Sequence, residues 1–154
     1  MSTDSQVIAN IVAAFANVER PQHFCNYLHC EECAEHDAVL VSHDRETLTV
    51  DHVANPGWDP IGFCSAQGKA YYLPSLAQFA LQGSADDSPY LMQLIHHLEG
   101  NGARNALVSY CSQRQRRAVA AFLEHVVETR TPYLADNDPF DQVLRTYGYW
   151  SADT

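Results

Sequence analysis

Apolar residues recur at intervals of three and four almost throughout the chain, the spacing that gathers them on one face of a helix. Val7, Ile8, Ile11, Val12, Phe15 and Val18 trace the first such face. Arg20-Pro21 predicts its end, because a proline pushes the residue before it out of the helical region. A second helix is predicted to begin near Glu31 and run toward Ser42, its early acids complementing the helix dipole. "LTVDHVANPGWDP" has room for one short helical turn before two prolines and a glycine impose a loop. From Gln67 to Leu81 the pattern returns as Tyr72, Leu73, Leu76, Phe79 and Ala80, and Pro74 inside it predicts a kink or two abutting helices.

Ser88-Pro89 reads as a cap and a first-turn proline, with Leu91, Leu94, Ile95 and Leu98 on the face that follows. Gly100-Asn101-Gly102 closes that helix. The clearest element comes next: Ser112 with Gln115 forms a capping box before the stripe Ala118, Val119, Phe122, Leu123, Val126 and Val127. Thr131-Pro132 is expected to stop it, and Asp138-Pro139 to open a last helix through about Tyr147. Strand character is confined to "PIGFCS", too short to build a sheet. The predicted class is all-α, a compact single-domain bundle of about five to seven helices over residues 1–154.

The chain of 154 residues, 46% hydrophobic, suits one domain with a sizeable core. No apolar run approaches the roughly eighteen residues of a membrane span. "MSTDSQVIANIV" lacks the basic region and small-residue cleavage site of a signal peptide, so the expected location is the cytoplasm. The formal charge is −10, and the excess is local. Glu31, Glu32, Glu35, Asp37, Asp44, Glu46, Asp51 and Asp59 are opposed only by Arg45 between positions 31 and 59. Such a field repels nucleic acid and anionic membrane, and suits cations or a basic protein partner. Arg114, Arg116 and Arg117 read as a solvated helix face.

One stretch carries candidate chemistry. "CNYLHCEECAEH" holds Cys25, His29, Cys30, Cys33 and His36. In a reducing compartment, clustered cysteines point to metal or redox work, whereas the remaining thiols, Cys64 and Cys111, sit in apolar surroundings and read as small core residues. Zinc takes four donors in a structural site, or three plus water in a catalytic one. Cys25, Cys30, Cys33 and His36 supply a complete Cys3His set across a loop-to-helix corner. His29, Cys33 and His36, spaced i, i+4, i+7, form a competing open set, with His23 as a further donor and Glu32 or Glu35 as general base. A thioredoxin-like role fits poorly, since no βαβ pattern surrounds the pair and flanking acids are expected to raise the thiol pKa. His36-Asp37 recurs as His43-Asp44, two helical turns on, and reads as the polar face of an acidic helix. Of the neighbours His96 and His97, one is expected half-buried and the other exposed. Nucleophile elbows, phosphate-binding glycine loops and H-E-x-x-H are absent.

The order "AFANVERPQHF", "HCEEC", "FCSAQGKAYYLPSLAQFAL", "SQRQRRAVAAFLEHV" resembles a group of uncharacterised bacterial helical proteins, a domain of unknown function. The group's central element reads approximately Phe-Leu-Thr-Pro-Glu-Ala-Phe-x-Tyr-Tyr-Leu-Pro-Ala; Phe63, Tyr71, Tyr72, Leu73 and Pro74 match it, and the run Cys64 to Gly68 departs from it. The resemblance implies an all-α fold and packing motifs, and no established activity.

The expected function is a small acidic protein-binding module, immunity-like or regulatory, with a structural zinc at the Cys25–His36 cluster. The alternatives are a hydrolase-like metal enzyme on His29, Cys33 and His36, and a structural component that docks through its aromatic tail "TYGYWSADT". Tyr147, Tyr149 and Trp150 in that tail read rather as core.

Overall fold

The computed structural model describes residues 2–152 and is all-helical, with one isolated antiparallel β-bridge, between the backbones of Cys25 and Cys64, in place of any sheet among them. The helices are α1 Asp4–Ala14, α2 Glu31–Val41, α3 Val50–Val53, α4 Ala66–Ala80 and α5 Leu91–Glu99, then α6 Ala106–Tyr110, α7 Gln113–Thr129, α8 Thr131–Asn137 and α9 Gln142–Ser151. Two 3-10 turns, Pro60–Phe63 and Gly102–Arg104, join them. Nine α-helices among the described residues exceed the expected five to seven, the additions being the short α6 and α8.

Each departure from expectation has a hydrogen-bonding or backbone cause. Helix α1 stops at Ala14 because the next carbonyls are taken elsewhere: Ala14 accepts from Gln115 Nε2 at 3.2 Å, and Phe15 accepts from Val18 N at 3.2 Å and Arg45 Nη2 at 2.8 Å. Ser88 does not cap α5; its hydroxyl donates to Ser84 O at 3.0 Å and the helix starts at Leu91. Thr131-Pro132 does end α7, and the same proline opens α8, since a first-turn proline lacks only an N–H that would be unpaired anyway. "PIGF" is a 3-10 turn because Asp59 Oδ1 accepts from Ile61 N at 2.9 Å. Asp138 does organise α9, accepting from the amides of Gln142 at 2.7 Å and Val143 at 3.0 Å, but the helix runs on to Ser151.

Helix α4 continues through Pro74 as one element. Leu73 and Leu76 are buried on either side of the proline, and that burial offsets the missing hydrogen bond. Helix α4 packs against α1, α5 and α6, while α7 packs against α1 and α9. The capping box on Ser112 and Gln115 is present, and the α7 stripe faces the core. Trp150 is buried and its indole N–H donates to Leu98 O at 2.9 Å, with Tyr147 and Tyr149 packed on the core beside it. The aromatic side chains of the tail therefore belong to the core and its edge, while Gly148, Ser151 and Ala152 are exposed and Asp153 and Thr154 lie outside the described residues.

The Tyr71-Tyr72-Leu73-Pro74 element anchors the end of α2. Tyr72 OH donates to Leu40 O at 2.6 Å and His43 O at 2.7 Å, satisfying carbonyls that the helix end leaves free. Arg20 bonds Val41 O at 2.7 Å and His43 O at 2.8 Å, and its guanidinium lies over the Phe24 ring at 5.2 Å. Gly68 has a reason to be small: a Cβ there would meet Phe24 Cδ1 at 3.0 Å. Phe24 in turn leads directly into the cysteine-rich corner.

Candidate metal centre

Asp37 on α2 sets the entry to the corner. Its carboxylate accepts from Phe24 N at 2.6 Å and Cys25 N at 3.1 Å, and pairs with His23 Nδ1 at 2.6 Å. Burial alone would raise its pKa, but the His23 contact and the two backbone amides outweigh that and hold it below the usual carboxylate range. From there the chain turns, with Tyr27 N on Cys25 O at 2.9 Å and His29 N on Asn26 O at 3.0 Å, so that His29 meets the start of α2.

Cys30 is the N-cap of α2 and stands in extended conformation. Its sulfur accepts from Cys33 N at 3.3 Å and lies 3.2 Å from Cys33 Sγ, while His29 Nδ1 is 3.5 Å from Cys33 Sγ. The three ligand atoms all lie within 4.8 Å of one another. A tetrahedral zinc with sulfur at about 2.3 Å needs donors about 3.7 Å apart, so small side-chain shifts close this set on one ion.

The electrostatics of the two thiols differ. The Cys33 amide, the Cys33 thiol and His29 stabilise the Cys30 thiolate and lower its pKa. The Cys30 sulfur, burial and nearby negative charge raise that of Cys33. The expectation that flanking acids raise the thiol pKa is thus corrected for Cys30, where local donors dominate. Cys30 and His29 are exposed and Cys33 is buried, so the corner is open to solvent on one side.

Cys25 and His36 do not join this group. Cys25 turns inward beside Cys64, and both sulfurs approach Pro60 O, at 3.9 and 3.7 Å. His36 is fully buried, stacked on Phe63 at 4.6 Å and against Trp58 at 4.2 Å, with Nε2 on Glu32 Oε1 at 3.3 Å. Neither the Cys3His set nor the His29–Cys33–His36 stripe is assembled; the convergent donors are His29, Cys30 and Cys33. His36-Asp37 is buried and not a solvated face, while the His43 ring lies tilted against that of His52 at 4.1 Å beyond the helix end. Burial pushes Cys64 well above an ordinary thiol and Cys111 up to about 12, as expected of inert core cysteines.

Local sequence reasoning missed the pairing of His97 with Asp59. His97 is buried and its Nε2 lies 2.6 Å from Asp59 Oδ2, across 38 positions of sequence, while His96 beside it is exposed. Asp37 and Asp59 therefore belong to the interior, and the acidic surface consists of the remaining members of the series. No family model, curated protein or solved structure matches the chain.

Proposed function

We propose that the protein is a small acidic binding module, immunity-like or regulatory, in which His29, Cys30 and Cys33 hold one zinc ion. The observation that carries this reading is the convergence of those three donors within 4.8 Å at the mouth of α2. Two thiols and an imidazole suit zinc, and three ligands leave a fourth position for water or a partner's side chain. Glu31 and Glu35 are exposed on the same helix, and Tyr27 and Leu28 are 40% and 80% exposed beside it. An acidic surface with an apolar rim suits a basic protein partner and disfavours nucleic acid and anionic membrane. No helix among the described residues is long and apolar enough to cross a membrane; a cytoplasmic setting, which keeps the thiols reduced, completes the reading. Kinship with the bacterial helical group fits the anchoring role of Tyr72.

Protein purified without a metal-chelating tag is expected to carry about one zinc per chain by elemental analysis. Cys30→Ser with Cys33→Ser abolishes it and lowers the Tm, because metal binding is coupled to the fold of the corner. Zinc-free protein that ignores added zinc, with both thiols freely reactive, sinks the metal reading. The 3.2 Å sulfur contact favours a second reading, a reversible dithiol. There the Cys30 thiolate would attack a disulfide co-substrate, releasing one thiolate, and Cys33 would displace the other. A thiol count that falls by two on oxidation, in zinc-free protein, selects it.

Docking by charge has its own signature. With the partner captured from the host, association is expected to slow steeply as salt rises, and Glu31→Lys with Glu35→Lys to slow it further with little change in dissociation. Asp37 is unsuitable for that test, since it holds buried amides. Equal association rates for mutant and wild type would mean that the acids are only solvated.

A further inference from the structure

A second cluster, independent of the thiols, lies where α4, α5 and the Gly100–Ala106 segment meet. It is a cavity of about 250 Å³ whose polar lining includes Lys69, His96, His97, Asn101 and Asn105. Its composition departs from that of the molecule. The formal charge is −10, yet no aspartate or glutamate lines this cavity, and the chain's one lysine does. Among the described residues, the Lys69 ammonium has no ion pair and no hydrogen bond. A half-buried lysine without a carboxylate partner, in so acidic a protein, leaves an unpaired positive charge on the cavity wall.

His97 gives that site its chemistry. Its side chain is 7% exposed and Nε2 is committed to Asp59, which also accepts from Gln93 Nε2 at 2.7 Å and Ile61 N at 2.9 Å. A carboxylate on Nε2 fixes the proton there, so Nδ1 carries the lone pair of the neutral ring. Nδ1 has no protein partner, yet it is not among the polar atoms sealed from solvent, and the ring forms part of the cavity wall. A proton taken up on Nδ1 makes an imidazolium whose counter-charge, Asp59, is already in place on its far side. Asn105 is a positioning residue: its amide donates to the carbonyls of His97, Leu98 and Gly100 at 3.1, 3.3 and 2.8 Å. Asn101 holds a left-handed backbone at φ 64°, a conformation asparagine tolerates, and its side chain makes no hydrogen bond.

We propose that this cavity binds a small oxyanion, a phosphate monoester or a carboxylate, between the Lys69 ammonium and the Nδ1 edge of the His97 ring. Exposed His96 and Asn101 supply further donors. The volume sits below the usual range for drug-sized ligands, which limits the ligand to a small metabolite. An adjoining cavity of about 610 Å³ shares Gly62, His96 and His97 but adds Glu32, Asp59, Phe63 and Met92. The part of the ligand that extends there is uncharged or cationic, since Glu32 excludes a second negative group.

Having one lysine makes the test clean. Reductive ¹³C-methylation, which keeps the positive charge, labels Lys69 and the N-terminal amine alone. Inorganic phosphate and acetate are titrated separately at constant ionic strength and constant pH. A saturable shift of the Lys69 methyl signal, with a His97 ring-proton shift at the same half-point, is expected for at least one of them. Phosphate alone identifies the phosphoryl class, and acetate alone the carboxylate class. Lys69→Gln, a half-buried position outside the core, should raise the half-saturation concentration read from the His97 signal by about tenfold or more. Arg117→Gln, which removes an equal charge elsewhere on the surface, should leave it unchanged. Shifts that stay linear in anion concentration overturn the proposal, as does saturable binding that survives Lys69→Gln in a folded variant.

Discussion

Replacing Leu73 by alanine is expected to lower the unfolding free energy by about 2–5 kcal/mol, with the fold retained. Leu73 is 2% exposed, and its neighbours Tyr72, Leu76 and Phe79 are buried with it. The side chain sits one residue before Pro74, where α4 already lacks a hydrogen bond, so local packing carries that turn. Two effects add: the transfer energy of the deleted methyl groups is lost, and the cavity left behind cannot fully collapse against a helix fixed by Tyr72. Denaturant unfolding followed by circular dichroism measures it. A midpoint within about 0.5 kcal/mol of wild type would mean that the proline-containing turn relaxes to fill the space.

What could be read in the sequence was what is local. The capping box on Ser112, the start of α2 at Glu31 and the face of α4 all depend on residues within a turn or two of one another. The five residues of α6 and seven of α8 are too short to show a full apolar period, and α8 is announced by the proline that also stops α7. The thiol corner divides along the same line. Cys30 and Cys33 come together because an N-cap and the third helical residue are neighbours in any helix. Cys25 could not be placed by spacing, since its neighbour is the free Cys64, brought alongside by a backbone β-bridge across 39 positions. Asp37 and Asp59 looked like surface charge for the same reason: their partners are loop amides and a histidine that only the fold brings near.

A further long-range group ties the start of the chain to the end of α7 and gives stability a predicted pH dependence. Asp4 accepts two hydrogen bonds from Arg130, Nη1 to Oδ1 and Nη2 to Oδ2, both at 2.9 Å, and one from His125 Nε2 at 2.6 Å. Arg130 is buried and also reaches Leu81 O at 3.0 Å, so the pair joins α1, the end of α4 and the α7–α8 junction. Asp4→Ala leaves that guanidinium buried without its counter-charge. The cost of breaking a buried pair is about 3–5 kcal/mol; with Asp4 48% exposed, about 2–3 kcal/mol is expected. Arg130→Met in the same background should recover part of the loss, because it removes the stranded charge. The Arg130 contact holds the Asp4 carboxyl at about 2, against an ordinary value of 3.8. A depressed folded-state pKa adds stability that is fully present above about pH 4 and is lost as the pH falls through 2. After allowance for solvent screening this contribution is about 1 kcal/mol. Unfolding of wild type and Asp4→Ala at pH 7 and at pH 2.5 separates the contribution: the difference between the two proteins should shrink at the lower pH. A difference that stays constant would mean that Asp4 acts through packing and not through its charge.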